Sequence, residues 1–157
     1  MDREIKFRGK RIDNQEWVYG YLIVDEIADK YYIFPNGNSC NEKDILRQEG
    51  LLHIFSYEVD EKTIGQYTNI CDRNNVPIYE GDVIRFLYDV FTGNFDIIEG
   101  KGIIEFIGGG FYVRPFEIEG RKIEDTYNEE WYLLYSINTD VLKVIGNVYD
   151  DKKLLGE

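Results

Sequence analysis

Apolar and polar residues alternate with a period of two along much of the chain. In EIKFRGKRIDNQEWVYGYLIV, Ile5 and Phe7 alternate with Lys6 and Arg8, the pattern of a half-buried strand. Asp13-Asn14 supplies turn chemistry, because both side chains bond nearby backbone groups and tolerate unusual φ. Residues 17–24 are apolar on both faces, which predicts a central strand completing a hairpin. A third strand over 30–34 stops at Pro35. Residues 35–50 read as a loop in which NEKDILRQ has about two turns of helical potential, with Asn41 placed to cap it. Residues 51–59 return to strand character.

In TIGQYTNICDRNNVPIYEGDVIRF, polar residues 72–75 form a turn, Pro77 fixes φ ahead of Ile78, and Gly81-Asp82 launches a strand over 83–88. The stretch DVFTGNFDIIEG reads as a long loop or ribbon with its tip at Thr92-Gly93-Asn94. KGIIEFIGGGFYVRPF is the clearest hairpin. With residues 107–110 as the turn, Phe106 faces Phe111, Ile104 faces Val113 and Glu105 faces Tyr112, diagonal to Arg114. Ile84 and Phe86 alternate with Arg85 in the strand before. One apolar and one charged face is the habit of antiparallel sheets, and short twisted strands of this kind are expected to curl into a small barrel. An acidic excursion over 117–130 precedes strands at 131–136 and near the C-terminus. Ile64-Gly65-Gln66-Tyr67 and Ile145-Gly146-Asn147-Val148-Tyr149 echo one another, which suggests paired edges of one sheet.

Composition sharpens this outline. Aromatic residues make up 15% of the 157, against one alanine, Ala28. Such a chain favours pleated surfaces and leaves little material for helices. The formal net charge of −12 repels a phosphate backbone at long range. Basic residues cluster only at Arg3, Lys6, Arg8, Lys10 and Arg11, which cannot all share one face of a strand. No secretory pattern and no transmembrane-length apolar run is visible. Cys40 and Cys71 stand apart and read as free thiols of a reducing cytoplasm.

Chemistry-bearing patterns are sparse. His53 is the sole histidine, in the alternating LLHIF, and reads as a strand residue with no ligand spacing around it. Gly108-Gly109-Gly110 joins two strands, so no helix N-terminus is available to hold an anion. Ser39, Ser56 and Ser136 lack a nucleophile elbow. No catalytic residue, metal or cofactor is expected, and the chain does not read as an enzyme. Asp82, with Glu80 two residues away, reads as a turn carboxylate accepting backbone N–H bonds. Tyr19, Tyr21, Tyr31, Tyr32, Tyr67, Tyr79, Phe91, Phe95 and Tyr112 exceed what one small core hides, which points to an aromatic interface.

Three stretches resemble the YopX family of small phage and prophage proteins: REIKFRGKRIDNQEWVYGYLI, TIGQYTNICDRNNVPIYEGDVIRF and VIGNVYDDKKLL. The signature positions are Gly65, Gln66, Tyr67, Thr68, Asp72, Tyr79, Gly81 and Asp82, which read as structural. In the central turn this chain has Asn69-Ile70-Cys71-Asp72 and Asn74-Asn75-Val76, where the family favours a Gly-Leu-Lys-Asp step and then Asn-Gly-Lys. The asparagines are therefore expected to take the left-handed conformation that glycine adopts more readily. The resemblance implies a mainly β protein of antiparallel sheets with little helix and an SH3-like barrel in its C-terminal part. It also implies occasional homo-oligomers and a bacterial cytoplasm, but no reaction. The expected division is an N-terminal sheet region over 1–57 and a barrel region over 58–157, sharing one core. The expected role is a binding or assembly module acting through protein contacts and self-association. One alternative is an acidic nucleic-acid mimic that occupies a host enzyme. The candidate interaction surface is Tyr112, Glu117, Glu119, Glu124, Asp125, Glu129 and Glu130. A second alternative is direct RNA binding by the barrel.

Overall fold

A computed structural model describes residues 3–35, 56–91, 95–118, 121–122 and 132–156. They divide into two compact units, 1–67 and 68–157. The helix expected within 35–50, with Cys40 and His53, lies outside the described residues, as does the tip at 92–94.

In the first unit, β1 (Phe7–Lys10), β2 (Trp17–Asp25), β3 (Lys30–Pro35) and β4 (Tyr57–Val59) form antiparallel pairs in the order β4-β3-β2-β1. The apolar strand β2 is central. The β1–β2 connection closes through the Gln15 N–H on the Arg11 carbonyl and the Asn14 side chain on the Glu16 N–H. Alternation sends Val18, Ile33 and Val59 to one side, where Phe7, Leu22, Tyr31 and Ile64 pack around them. The sheet curls until its β4 edge meets the residues after β1. Arg11 bridges Val59, the Ile12 N–H reaches the Glu58 carbonyl at 3.0 Å, and the Asp60 N–H reaches Lys10 at 2.9 Å. A short 3-10 turn at Glu61–Thr63, capped by Asp60, then leads into β5 (Gly65–Cys71), whose first residues pair with Phe7 and Arg8 of β1.

In the second unit β5 continues beside β6 (Pro77–Tyr79). The main sheet contains β7 (Asp82–Phe91), β8 (Phe95–Ile107), β9 (Gly110–Ile118), β10 (Arg121–Lys122) and β12 (Lys143–Asn147). Its order is β10-β9-β8-β7-β12, and β11 (Tyr132–Leu133) pairs with β9. A single helical turn, α1 (Lys152–Leu155), follows. The β8–β9 hairpin has the register read from its residues, with Ile104 opposite Val113, Glu105 opposite Tyr112 and Phe106 opposite Phe111. The stretch after Tyr88 is a ribbon paired out to Phe91 and Phe95. Ile70, Ile78, Ile84, Phe86, Ile104, Phe111 and Val113 form the core with Leu134, Ile137 and Leu142.

Three expectations need correction. The main sheet does not close into the barrel expected of the C-terminal part: among the described residues its order runs from β10 to β12 as two ends. Bulges between Lys101 and Gly102 and between Val144 and Gly146 bend the strands without joining those ends. The strand expected over 131–136 is described as only two strand residues, then a 3-10 turn at Leu134–Ser136. That turn buries both Leu134 and Ile137, a spacing of three that an extended strand cannot place on one face. The echoed Ile-Gly steps are not partners: Gly65 pairs with Arg8 of β1, whereas Gly146 pairs with Val83 of β7.

Asn69 and Asn75 take φ of 64° and 60°, the left-handed region in which asparagine replaces glycine. Asn75→Gly is accordingly expected to leave the melting temperature nearly unchanged, while Asn75→Val should cost about 1–2 kcal/mol in thermal denaturation. Equal melting of both variants would show that the turn relaxes without strain.

Candidate interaction surface

The signature residues do not converge on one site. Gly65, Gln66 and Tyr67 lie against β1, the last through its N–H on the Lys6 carbonyl at 2.8 Å. The others form a buried hydrogen-bonded frame in the second unit. The Thr68 hydroxyl donates to the Ile78 carbonyl at 2.8 Å, and the Tyr135 hydroxyl donates to the Thr68 carbonyl at 3.1 Å. Asp82 accepts the Tyr79 N–H at 2.8 Å, both residues being buried. Between them Gly81 takes φ of 81°, a left-handed position that costs glycine nothing, while its N–H and carbonyl bond Ile104 and Val148.

Asp72 is the most heavily used of these carboxylates. One oxygen accepts the Asn74 and Val76 N–H groups at 2.7 and 3.0 Å, and the other accepts the Val144 N–H of β12 at 3.0 Å. Burial pushes this carboxyl up, but the N–H bonds from Val76, Val144 and Asn74 and the nearby Arg73 outweigh it. Together they hold Asp72 below the ordinary carboxylate range. Every oxygen contact is to backbone, so the group braces a turn and offers nothing to a ligand.

The acidic surface anticipated around the β9 strand is already partly neutralised. Glu117 pairs with Lys101 at 2.6 Å, and Glu105 pairs with Arg114 at 2.7 Å beside a half-buried Tyr112. Arg85 and Glu99 approach to 3.5 Å. Glu119, Glu124, Asp125, Glu129 and Glu130 lie outside the described residues. In the same unit, Leu87, Ile97, Tyr132, Ile137 and Val141, with the polar Ser136 and Asn138, line an open depression of about 490 Å3 whose wall is as polar as it is apolar. No group of His, Cys, Asp and Glu suited to a metal occurs among the described residues.

The first unit presents a different surface. Directly opposed residues share a face, so Lys10 with Trp17, Arg8 with Tyr19, Tyr21 with Phe34 and Ile23 with Tyr32 all lie on the side away from Val18 and Ile33. The Arg8 guanidinium lies 4.7 Å from the centre of the Trp17 ring and Lys10 Nζ 5.5 Å from it. These cations hold the indole by attraction to its π face. Further along β2, Tyr19 and Tyr21 remain 46% and 51% exposed.

The residues therefore sort differently from the sequence reading. Tyr79 is buried, Tyr31, Tyr32 and Tyr67 are half-buried, and the side chains of Phe91 and Phe95 are outside the described set. Trp17 was not among the candidates, although the register of the first hairpin puts it beside Lys10. The basic cluster disperses: Lys6 pairs with Glu4, Arg11 pairs with Asp13, and Arg8 and Lys10 stack on Trp17.

No curated protein is similar to the chain in sequence. The crystal structure of protein EF1440 from Enterococcus faecalis is similar over 98% of this chain and 99% of that chain. The two share 18% sequence identity with a TM-score of 0.52, a likeness of fold alone. The family model described as YopX protein matches residues 6–156. With nearly the whole sequence matched, the chain belongs to the YopX family.

Proposed function

We propose that this protein is a phage- or prophage-type binding or assembly module of the bacterial cytoplasm, acting through protein contacts and self-association. Its contact surface in this reading is the aromatic face of β1, β2 and β3. The observation that carries the proposal is the half-exposure of Tyr19 and Tyr21 in line with Trp17 on one strand. Tyrosine supplies large contact area at little conformational cost, and a β-strand presents it every second residue. Tyr21 also borders an open depression lined by Arg3, Glu4, Ile5, Phe7 and Leu22. The reading of an SH3-like unit in the C-terminal part belongs to this proposal as architecture.

The acidic-mimic alternative draws less support, because Glu117 is bound to Lys101. Direct RNA binding is also disfavoured, since the N-terminal cations are dispersed among carboxylates and Trp17 in a chain of net charge −12.

The test is light scattering across a concentration series, with affinity capture from host lysate alongside. Tyr19→Ser combined with Tyr21→Ser should lower the association constant at least tenfold without changing the melting temperature by more than a few degrees. A parent protein that stays monomeric at every concentration and retrieves no partner sinks the proposal.

A further inference from the structure

The end strand of the main sheet is covered in an unusual way. Among the described residues β12 pairs with β7 on one side only, and the strand order ends there. Such an edge ordinarily presents a row of N–H and C=O groups on which another chain can add a strand. Here two of its N–H groups are already taken. Val144 donates to the Asp72 carboxylate and Asn147 donates to the Asp151 carboxylate, each at 3.0 Å. Both donors serve side chains rather than β7, so both point to the outer edge.

The two acids arrive from different segments. Asp72 comes from the turn between β5 and β6, where the Arg73 N–H also bonds the Leu142 carbonyl just ahead of β12. Asp151 immediately precedes α1, whose Leu154 N–H bonds back to the Asp151 carbonyl. Gly146 makes the second approach possible. A Cβ there would stand 2.4 Å from Asp151 Oδ2 and 2.7 Å from Leu154 Cδ1, so any larger residue expels the carboxylate. The bulge between Val144 and Gly146 further spoils the edge as a template.

We infer that Asp72 and Asp151 form a guard on the β12 edge, which keeps the main sheet from adding a strand from a second copy of this chain. A carboxylate is suited to the task. It satisfies the exposed donors at least as well as an incoming carbonyl does, and it brings a charge that an incoming strand must desolvate. The inference is independent of the aromatic face of β1, β2 and β3, and it concerns a different unit.

Asp151→Ala removes one acceptor and leaves the Asp72 brace in place. It should raise the amide exchange rate of Asn147 at least tenfold. It should also shift the mass measured by light scattering to at least twice that of the parent at equal concentration. Asp151→Asn, which retains an acceptor oxygen but not the charge, should keep the slow exchange of Asn147 and give a mass between those of the parent and Asp151→Ala. Asp151→Ser is too short to reach Asn147 and supplies the same reading where the alanine variant does not fold. A folded Asp151→Ala or Asp151→Ser variant with fast-exchanging Asn147 and the parent's mass overturns the guard. Failure of both to fold also overturns it, since Asp151 would then be an element of stability alone.

Discussion

Replacing Asp72 by alanine should cost about 3 kcal/mol of folding stability, the largest effect expected of any polar substitution in the second unit. Three backbone donors lose their acceptor at once: those of Asn74 and Val76 in the turn and that of Val144 on β12. A buried donor left without a partner costs about 1–3 kcal/mol, and bonds to a charged acceptor lie at the strong end. The turn donors regain water because residues 73–77 are exposed, which limits the sum. The same geometry gives a pH dependence. The carboxyl of Asp72 is held below its ordinary value of 3.8 in the folded chain. A lowered folded value means that the unfolded chain binds the proton first. The stabilisation is therefore complete at neutral pH and disappears as pH falls below 3.8 and through the folded value. Urea denaturation of the parent and of Asp72→Asn, followed from pH 7 into acid, isolates this contribution, because every other carboxylate is common to both. The stability gap should narrow as the solution is acidified; a constant gap would show that the charge of Asp72 contributes nothing.

Phe86→Ala is expected to destabilise by about 3–5 kcal/mol, the usual range for emptying a fully buried aromatic position. Phe86 has no exposed surface, and its cross-strand partner on β8 is Gly100. The ring lies directly over that glycine: a Cβ on residue 100 would meet Phe86 Cζ at 2.7 Å. It also meets Tyr132 with 5.8 Å between ring centres. The glycine and the phenylalanine therefore act as a pair, one providing the space that the other fills. Gly100→Ala alone should destabilise by overpacking, about 1–3 kcal/mol. Joined to Phe86→Leu, the same alanine should cost less than the sum of the two single changes, because the shorter side chain clears the added methyl. Chemical denaturation of the four members of this cycle checks the coupling. Strict additivity would mean that the ring does not rest on Gly100.

Much of this architecture was legible from local pattern. Alternation in 104–113, turned back on itself at three glycines, defined both the hairpin and its register, since a slip of one residue would expose Ile104 and Val113. Polar turn residues marked the joins, and the resemblance to the YopX family marked Asn69 and Asn75 as standing where glycine is usual. The stretch 131–136 was misread because short apolar runs fit a strand and a 3-10 turn alike. The neighbours Leu134 and Ile137 meet in the core decided between them. Of the interaction surface, the excess of tyrosine was visible, but which rings stay outside was not. Tyr79 and Tyr21 sit in similar alternating stretches, yet one is buried in the second unit and the other half-exposed in the first.

The family, the antiparallel β character and the local turns can be read along the chain, because these depend on residues close in sequence. Tertiary structure alone decided that the echoed Ile-Gly steps serve different sheets. It alone led Asp72 across to a strand seventy-two residues away. Those choices rest on strand order and on the desolvation of particular groups, which only contacts between distant segments can set.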